Sequence, residues 1–547
     1  MRLIGRRIPK NIGLIPEGFA TRNNHTTIVV DSPMLAAPWL GNSFTIAQYA
    51  QAVDFCASRL TSLGVGGRAR VAIVRENHLE VQLLAAAAAR IGAVPAALSA
   101  ANTEQELVDL LASLQSDALL MSSAVAERFA RSGVDASSLA SNVVQLDGEA
   151  RPGAISWHTL SSDRPAVVAP VADDQVMLIT HTSGTTNLPK LVMHTANSLW
   201  AGTRVELLPV PGGVSRPSDR FLTAIPFVHS RAFTWVTAQF YWGPDEMIAV
   251  GDYGQDTVER LLRSEGPTII ESLPNVLQHW KPLVESHPEL FEQVRLYINT
   301  FDAIHASIAR PYVLASSHRN VMWAHSWGQS EVGPMAAGIF TKGSFRRATK
   351  AGKELQMSHL GLPWLGLVRM RVVDPDTGRR VPRGVPGLLQ VRSDSIAVGY
   401  QNSDEHYRRK WSGSWWNTGD FGYQDRLGRV KFLGRSVDRL QSDSALELET
   451  ALLDRLPECE EVVVIPNGSS APVPVLCLRS GGELSDGRWR EVVDGLRRSR
   501  RPWWCRWRRS RGRRRGRSSE PASVSVSRAP SSCSPPKPTA VSSEVAP

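Results

Sequence analysis

The stretch ITHTSGTTNLPKLVMHT, residues 179–195, decides which fold the chain is expected to adopt. The apolar run VMLI leads into it and predicts a buried strand, and a loop of small and hydroxyl-bearing residues follows. Small side chains let backbone N–H groups approach an anion closely, hydroxyls add donors, and Lys190 adds a positive charge. The pattern predicts a phosphate-binding loop, with a polar surface turn as the alternative for this stretch alone. It is not a GxxxxGK[ST] loop, because its glycine comes early and Pro189 precedes the lysine.

Length and composition describe an ordinary globular chain. Its 547 residues predict two or more domains, and its five cysteines show no CxxC or metal-like spacing. The cysteines therefore favour a reducing compartment over a zinc or disulfide framework. The most apolar stretch, residues 83–98, is interrupted by Arg90 and is too short to span a membrane, and the basic N-terminus lacks the apolar core of a signal peptide. We expect a cytoplasmic protein.

The positive charge is concentrated at the C-terminal end. The chain has a net charge of +10, but residues 497–547 hold 14 Lys and Arg against 2 Glu, so the remainder carries −2. A strongly basic protein commonly binds nucleic acid or a membrane surface. Because the basic residues belong to one Arg-, Ser- and Pro-rich tail, we do not expect such a partner unless this tail is genuine.

Strand-like and helix-like runs alternate through the first 400 residues. Residues 70–77, RVAIVREN, predict a strand, residues 78–93 a helix, and VPAALS the next strand, and EQELVDLLASL with DALLMSS repeats this order. The alternation predicts parallel sheets covered by helices. Beyond about Pro386 the runs GLLQVRSDSIAVGYQN and GRVKFLGRS predict a more antiparallel region, and GRSVDRL at 434–440 marks a boundary.

Three later segments follow the loop in a fixed order: IPFVHS at 225–230, HSWGQSE at 325–331 and WWNTGDFGYQDRLGRVKFLGR at 415–435. With the loop they resemble the adenylate-forming superfamily of acyl-CoA synthetases, peptide-synthetase adenylation domains and luciferases, over about residues 26–478. The family loop reads roughly TSG(T/S)TGxPKG, and Asn187 and Leu191 depart from it where the family has glycine. The matching residues are Thr182, Ser183, Gly184, Thr185, Thr186, Pro189 and Lys190.

The resemblance implies an α/β protein whose large N-terminal domain of helix-covered sheets is followed by a small mobile α+β domain. We predict an N-terminal extension at 1–25, the large AMP-binding domain at 26–434, a hinge at 435–438 with Asp438 as its pivot, and an incomplete small domain at 439–495. Residues 496–547 are expected to form an irregular, disordered basic tail.

The resemblance also implies roles at an ATP site with Mg²⁺. Glu331 would hold the metal, Trp327 would stack on adenine beside Gly328, and Ser330 would contact phosphate. Lys190, His229 and Glu331 are the predicted catalytic residues. Predicted to bind ATP are Thr182, Ser183, Gly184, Thr185, Thr186, Lys190, Trp327, Gly328, Ser330, Asp420, which would bind the ribose, and Arg435.

The implied reaction activates a carboxylic acid as its acyl-adenylate and then transfers the acyl group. The predicted acid pocket combines His229, Phe233, Phe301, Ala303 and Ile304, which favours an aryl or other apolar acid. Asp302 keeps an amino acid open as an alternative.

PKLVMHT and FDAIHA resemble the amide synthetases of aminocoumarin antibiotic pathways more than common CoA ligases. Transfer to an amine is therefore predicted, and a CoA ligase that takes coenzyme A as co-substrate is the alternative.

The family's second lysine, within a pattern like PRTxxGK near the C-terminus, is missing. Lys537 lies in different surroundings. Back-translation of residues 502–517 with a two-base shift permits VVVPLEEIPRTATGKV, although only two of its valines are compelled by the codons. We predict a one-base insertion or deletion between about Asp494 and Arg501. A catalytically impaired ATP-binding relic, or a tail whose Trp503, Trp504 and Trp507 stack on nucleic acid, are the alternatives.

Overall fold

The computed structural model describes most of the chain. The described residues are 9–182, 189–208, 215–351, 355, 357–436, 445–453, 455–456, 458–465, 472–478 and 484–499. The chain divides into two compact units, residues 1–418 with 422–432, and residues 419–421 with 433–547. The domain limits expected from the sequence, including the hinge at Asp438 and the basic tail, stay predictions, and Asp438 and the tail beyond residue 499 lie outside the described residues.

Helices follow strands along most of the first unit, as the alternating pattern predicts. The α-helices of the described residues are α1 Ile15–Ala20, α2 Ile46–Ser62, α3 Glu80–Arg90, α4 Glu104–Leu114, α5 Ser123–Arg131, α6 Ala196–Glu206, α7 Ser230–Trp242, α8 Gln255–Glu265, α9 Pro274–His279, α10 Lys281–Ser286, α11 Ala306–Ala315, α12 Lys342–Lys350, α13 Asp404–Arg409, α14 Ala445–Leu453 and α15 Asp486–Ser499.

The strands are mostly short. Those of the described residues are β1 Thr27–Val30, β2 Ser43–Thr45, β3 Arg70–Arg75, β4 Val94–Ser99, β5 Ser116–Met121, β6 Ala140–Gln145, β7 Ile155–Ser156, β8 Val176–His181, β9 Leu191–Thr195, β10 Arg220–Ala224, β11 Glu246–Ala249, β12 Ile269–Ser272, β13 Leu296–Asn299, β14 Met322–Gln329, β15 Gly333–Thr341, β16 His359–Pro363, β17 Val368–Val373, β18 Gly387–Ser393, β19 Gly399–Tyr400, β20 Trp411–Ser412, β21 Trp415–Gln424, β22 Val430–Arg435, β23 Cys459–Ile465 and β24 Val473–Leu478.

Two sheets organise the first unit. One has the order β19-β9-β8-β4-β3-β5-β6-β7, and its strands from β8 to β7 pair in parallel. The other runs β17-β18-β21-β22-β16-β15-β14-β13-β12-β10-β11-β1-β2, with β20 beside β21. Its segment from β14 to β1 is parallel, whereas β14 to β16 and β17 with β18 pair antiparallel. The predicted α/β class, with a more antiparallel region after about residue 386, is confirmed.

The helices pack in layers because parallel strands are apolar on both faces. One core joins the two sheets through helices α2, α3 and α7, with Val71 on one sheet and Phe221 on the other. Helices α8 to α11 cover the outer face of the larger sheet around Tyr312, and α4 and α5 cover the outer face of the other sheet around Phe129. This layering places the carboxyl ends of the parallel strands at accessible sheet edges, where ligands bind in open α/β folds.

The second unit has its own small core. Strands β23 and β24 form an antiparallel pair, and Val462, Val464 and Leu476 of that pair pack with Leu452 and Val492 of the neighbouring helices. Among the described residues, no helix is long and apolar enough to cross a membrane.

Candidate active site

The predicted phosphate loop lies at the tip of a hairpin. Strands β8 and β9 pair antiparallel, and the loop between them is closed where the Thr182 N–H donates to the Lys190 carbonyl at 3.0 Å. The Lys190 N–H donates in return to the Thr182 hydroxyl at 3.0 Å. These two bonds join the two ends of the loop, so the backbone of Lys190 has a defined position. The loop residues Ser183, Gly184, Thr185 and Thr186 lie outside the described residues.

Two histidines lie buried at the base of this hairpin. His181 accepts from the Ser99 N–H through Nε2 at 3.0 Å and donates through Nδ1 to the Thr182 carbonyl at 2.9 Å, which defines a neutral tautomer. His194 lies on β9, with its Nε2 3.0 Å from the Thr180 hydroxyl. Burial lowers the pKa of His181, and it lowers the pKa of His194 to about 4. Both rings are therefore neutral at neutral pH.

His229 connects the start of α7 with the end of β14. As the N-cap residue of α7 it accepts from the Arg231 N–H through Nδ1 at 3.1 Å, so its proton must lie on Nε2. That Nε2 is 3.0 Å from the Ser330 hydroxyl and donates to it. Burial, followed by the nearby His181, His194 and Arg231, lowers the pKa of His229 to about 3. His229 is thus a fixed neutral donor, and the hydroxyl proton of Ser330 stays available for an anionic acceptor.

Glu331 follows Ser330 and is held from two sides. The Tyr400 hydroxyl donates to Oε1 at 2.5 Å, and the Ala397 N–H donates to the Glu331 carbonyl at 2.7 Å. Burial, and then the charge of Glu331, raise the pKa of Tyr400, which keeps the hydroxyl protonated. Sequence reasoning missed Tyr400, because 69 residues separate it from its partner.

The Glu331 carboxylate fits a bound magnesium ion. Among the described residues only its Oε1 has a hydrogen-bond partner, which leaves Oε2 to a ligand. No group of three His, Cys, Asp or Glu that could hold a metal occurs in the described part of the chain. Mg²⁺ typically takes one or two carboxylates together with phosphate oxygens and water, so one carboxylate suffices beside a triphosphate. When bound, the ion would offset phosphate charge.

Trp327 and Gly328 lie at the end of β14, where the pairing with β15 is interrupted by a bulge. Trp327 is half-buried and Gly328 is exposed. A side chain at Gly328 would meet the Gly333 carbonyl oxygen at 2.7 Å from its Cβ, so only glycine fits this close backbone approach. Bulges commonly re-aim side chains next to active sites.

Asp420 and Arg435 meet within the second unit. The Arg435 Nη1 is 3.1 Å from Asp420 Oδ1, and the aspartate side chain is 2% exposed whereas the arginine side chain is 52% exposed. The two residues predicted to contact the nucleotide from the TGD segment and from the hinge are therefore neighbours. A carboxylate oriented by an arginine can accept hydrogen bonds from the two hydroxyls of a ribose.

The predicted acid-pocket residues do not all face one cavity. His229 and Phe301 are in edge-to-face contact, with ring centroids 4.7 Å apart, and Phe301 is exposed with a φ of 77°. Ala303 is half-buried beside them in sequence. Phe233 lies one turn after His229, is buried, and lines a small cavity next to the N-terminal segment. Ile304 is buried in the core on the outer face of the larger sheet.

Sequence reasoning also missed a charged group beside His229. Arg231 is buried between Glu271 on β12 and Glu206 at the end of α6. The signal was a single glutamate inside the apolar strand TIIES, because a carboxylate in a buried strand needs a partner.

Comparison with known proteins identifies the family of the chain. A family model described as "AMP-binding enzyme" matches residues 18–401. The chain belongs to this family of adenylate-forming enzymes, whose members activate an acid by forming its adenylate from ATP.

Among similar proteins is the 3-amino-2-hydroxy-4-methoxybenzoate diazotase of Streptomyces cremeus. It is 32% identical over 523 residues, which cover 91% of this chain and 92% of the diazotase. A similar solved structure is the anthranilate CoA ligase AuaEII in complex with anthranoyl-AMP, with a TM-score of 0.77, 20% identity and coverage of 92% and 94% of the two chains. Another is the amide bond synthetase McbA from Marinactinospora thermotolerans, with a TM-score of 0.68, 21% identity and coverage of 88% and 92%. At these identities the two structures establish the fold.

Proposed function

We propose that this enzyme transfers the activated group of its adenylate to the nitrogen of an aromatic amine. The observation that carries the proposal is the relative that matches 91% of the chain at 32% identity and is named for an aminobenzoate. Amine transfer agrees with the departures PKLVMHT and FDAIHA from common CoA-ligase patterns.

The described residues support adenylate formation. Lys190, fixed by the Thr182 bonds, supplies a positive charge at the loop. Ser330, oriented by His229, presents a hydroxyl donor, and Glu331 has one oxygen left for Mg²⁺. Fixed donors and charges of this kind stabilise the charge that develops when an oxyanion displaces pyrophosphate. Both ring nitrogens of His229 are engaged and burial lowers its pKa to about 3, so it is a poor proton acceptor for an amine.

In the first form of the reaction the acid is an aryl or other apolar carboxylic acid. Its carboxylate attacks the α-phosphorus of ATP and pyrophosphate leaves, and the amine nitrogen then attacks the acyl carbon and AMP leaves, which gives an amide. The aromatic wall of His229 and Phe301 favours a flat acid. Coenzyme A as acceptor would instead give a thioester, and the products separate these two outcomes.

The second form is diazotisation, which the name of the 32% identical relative favours. A diazonium ion requires an electrophilic N=O group, and nitrite is the oxyanion whose adenylate supplies one. Nitrite would attack the α-phosphorus and release pyrophosphate, and the amine nitrogen would then attack the nitrosyl nitrogen and release AMP. The resulting N-nitroso amine takes up a proton and loses water to give the diazonium ion, without an external oxidant or reductant.

One exchange experiment tests both forms. ATP–pyrophosphate exchange is measured with a panel of aromatic acids, with nitrite, and with neither. Exchange that requires a carboxylic acid, followed by amide formation with an added amine, supports the first form. Exchange that requires nitrite, followed by a product that couples to an azo dye, supports the second. Thioester formation with coenzyme A and no reaction with amines would overturn the proposal.

We also propose that the native gene encodes a lysine-bearing segment in place of the basic tail. The shifted frame of residues 502–517 permits the family's lysine pattern. Sequencing the coding DNA from codon 485 tests this directly, and an unchanged frame would favour the relic or the nucleic-acid alternative.

A further inference from the structure

Three charged side chains are buried together beside His229, whose ring contacts Phe301. Arg231 donates through Nε to Glu271 Oε1 at 2.9 Å and through Nη2 to Oε2 at 2.8 Å, which is a bidentate pair. Its Nη1 is 2.5 Å from Oε2 of Glu206. The side chain of Glu271 is fully buried, and those of Arg231 and Glu206 are 15% and 13% exposed. We call these three residues the ion triple.

The ion triple occupies the same edge of the sheet as the aromatic wall. Arg231 is two residues from His229 and donates its N–H to that ring. Glu271 is the penultimate residue of β12 and pairs in register with Ile298 of β13, and Phe301 follows the end of β13 by two residues. His229 and Phe301 are in ring contact. The carboxyl ends of β12 and β13 therefore bring the triple and the wall together, at the edge where open α/β sheets bind ligands.

The triple has more negative than positive charge. Its guanidinium is matched by the carboxylate of Glu271, and Glu206 is a second carboxylate whose Oε2 forms an ion pair with Nη1. The remaining oxygen of Glu206, Oε1, is buried and has no hydrogen-bond partner among the described residues. Nη1 of Arg231 is likewise buried without a hydrogen-bond partner among these residues. Buried polar atoms are almost always satisfied, so this oxygen can accept a hydrogen bond from a bound group and this nitrogen can donate one.

A purely structural role explains the triple less well. An ion pair could clamp α7 to β12, but buried ion pairs contribute little to stability compared with apolar side chains of similar volume. A clamp would also need only Glu271, because that carboxylate already matches the guanidinium with two hydrogen bonds. The second carboxylate adds a cost of burial without completing a bond at Oε1.

We infer that the ion triple recognises an amino group on an aromatic acid, with Glu206 Oε1 accepting a hydrogen bond from the amine. The inference rests on the proposed function and names the substrate class within it, an aromatic acid that bears a free N–H₂ group. A plain aryl acid would fill the same wall but leave the buried oxygen unsatisfied. Arg231 holds the Glu206 carboxylate in place, and its charge disfavours a second cation at the same position.

Equilibrium binding tests this without requiring turnover. The full chain, with ATP and Mg²⁺, is titrated calorimetrically with benzoate, with 2-, 3- and 4-aminobenzoate, and with their N,N-dimethyl derivatives. At least one aminobenzoate is expected to bind roughly 10-fold or more tightly than benzoate, because hydrogen bonds to charged groups are the strong ones. Its dimethyl derivative, which has no N–H, is expected to lose that gain.

Glu206→Gln assigns the preference to its residue. The variant is expected to bring the aminobenzoate and benzoate dissociation constants to within about 3-fold, since a neutral amide is a weaker acceptor. Glu285 is an exposed carboxylate that pairs on the surface with Lys281. Glu285→Gln is therefore the matched control and should keep the preference for aminobenzoate over benzoate. If Glu206→Gln does not fold, the dimethyl series on the unchanged chain still decides the question.

The outcomes separate the inference from the proposed function. Equal binding of benzoate and all aminobenzoates, or a preference that the N,N-dimethyl derivatives share, overturns the inference and leaves an aromatic-acid enzyme intact. A preference that persists in a folded Glu206→Gln variant overturns the role of Glu206. Absence of binding by every aromatic acid, together with acid-independent exchange, contradicts both the inference and the carboxylic-acid form of the proposed function.

Discussion

On the phosphate side of the candidate site, around the hairpin and Ser330, polar groups are buried as neutral rings, whereas in the ion triple they are buried as charges. His181, His194 and His229 all lose their charge through burial. Arg231, two residues after His229, and Glu271 are paired ions. The two regions lie on the same unit and bury polar groups to a similar degree, so they differ in charge and not in burial.

Under the proposed function, the difference follows from the ligands. A triphosphate brings several negative charges and must release pyrophosphate, so neutral donors that orient Ser330 and the hairpin add order without holding the product by charge. An uncharged ring substituent offers little for recognition except hydrogen bonds, and a buried charge makes such bonds stronger. The comparison predicts that a change of charge on the phosphate side mainly alters the rate of ATP–pyrophosphate exchange. A change of charge in the triple should mainly alter which acid binds.

The largest effect is expected from adding the missing positive charge. A chain with the reading frame restored near codon 497 is expected to show ATP–pyrophosphate exchange roughly 10²–10³-fold faster than the chain as written, by analogy with loss of a single transition-state donor. The restored chain with that new lysine changed to alanine is the control and should fall back to the lower rate. Equal rates for all three chains would contradict the second-lysine hypothesis.

Removing the charge at the loop should have the next largest effect. Lys190→Ala is expected to lower kcat/KM for ATP in the exchange reaction about 10²-fold, which corresponds to about 2.7 kcal/mol of transition-state stabilisation. Lys281→Ala, which removes a lysine from a surface pair with Glu285, is the control and should retain the rate. A Lys190→Ala rate within a factor of three would remove the loop from the mechanism.

Acid should destabilise the phosphate side, and Glu271 of the triple should oppose that trend. The folded pKa of His194, about 4, lies below its unfolded value near 6.5, so the neutral ring stabilises the fold above pH 6.5 and this stability is lost as pH falls toward 4. Each such ring lowers the free energy of unfolding by up to about 2 kcal/mol as the pH falls from 6.5 to 5. Burial raises the pKa of Glu271, so that carboxyl takes up its proton more readily when folded and opposes the trend.

Urea unfolding at pH 7 and pH 5 measures this. His194→Gln is expected to reduce the acid-induced loss of stability by about 2 kcal/mol, because glutamine does not titrate. His406→Gln, which changes an exposed histidine on α13, should leave the acid-induced loss unchanged. An equal loss in both variants would mean that the ring of His194 does not stay neutral in the folded protein.

Local sequence patterns predicted many of the helices and strands, but they do not report contacts between residues far apart in the sequence. The alternation from β3 to β5 was legible because each period depends on neighbours a few residues apart. The bond between His229 and Ser330 joins residues 101 apart, and no periodicity reports it. Phe233 and Ile304 show a related limit: the sequence indicates apolar residues near the pocket, but only the helix and loop directions decide that one lines a cavity near the N-terminal segment and the other the outer core.

The smallest effect is expected at Tyr400, whose hydroxyl donates to Glu331, the proposed Mg²⁺ ligand. Tyr400→Phe removes the hydroxyl that donates to Glu331 and should raise the Mg²⁺ concentration needed for half-maximal exchange roughly threefold, since a hydrogen bond contributes about 0.5–1.5 kcal/mol. Tyr407→Phe is the matched control: its ring lies 5.8 Å from that of Tyr400, but its hydroxyl donates to the Ala397 carbonyl. The same Mg²⁺ dependence in both variants would show that Tyr400 acts through packing, and a selective shift would identify Glu331 as the carboxylate that Mg²⁺ meets.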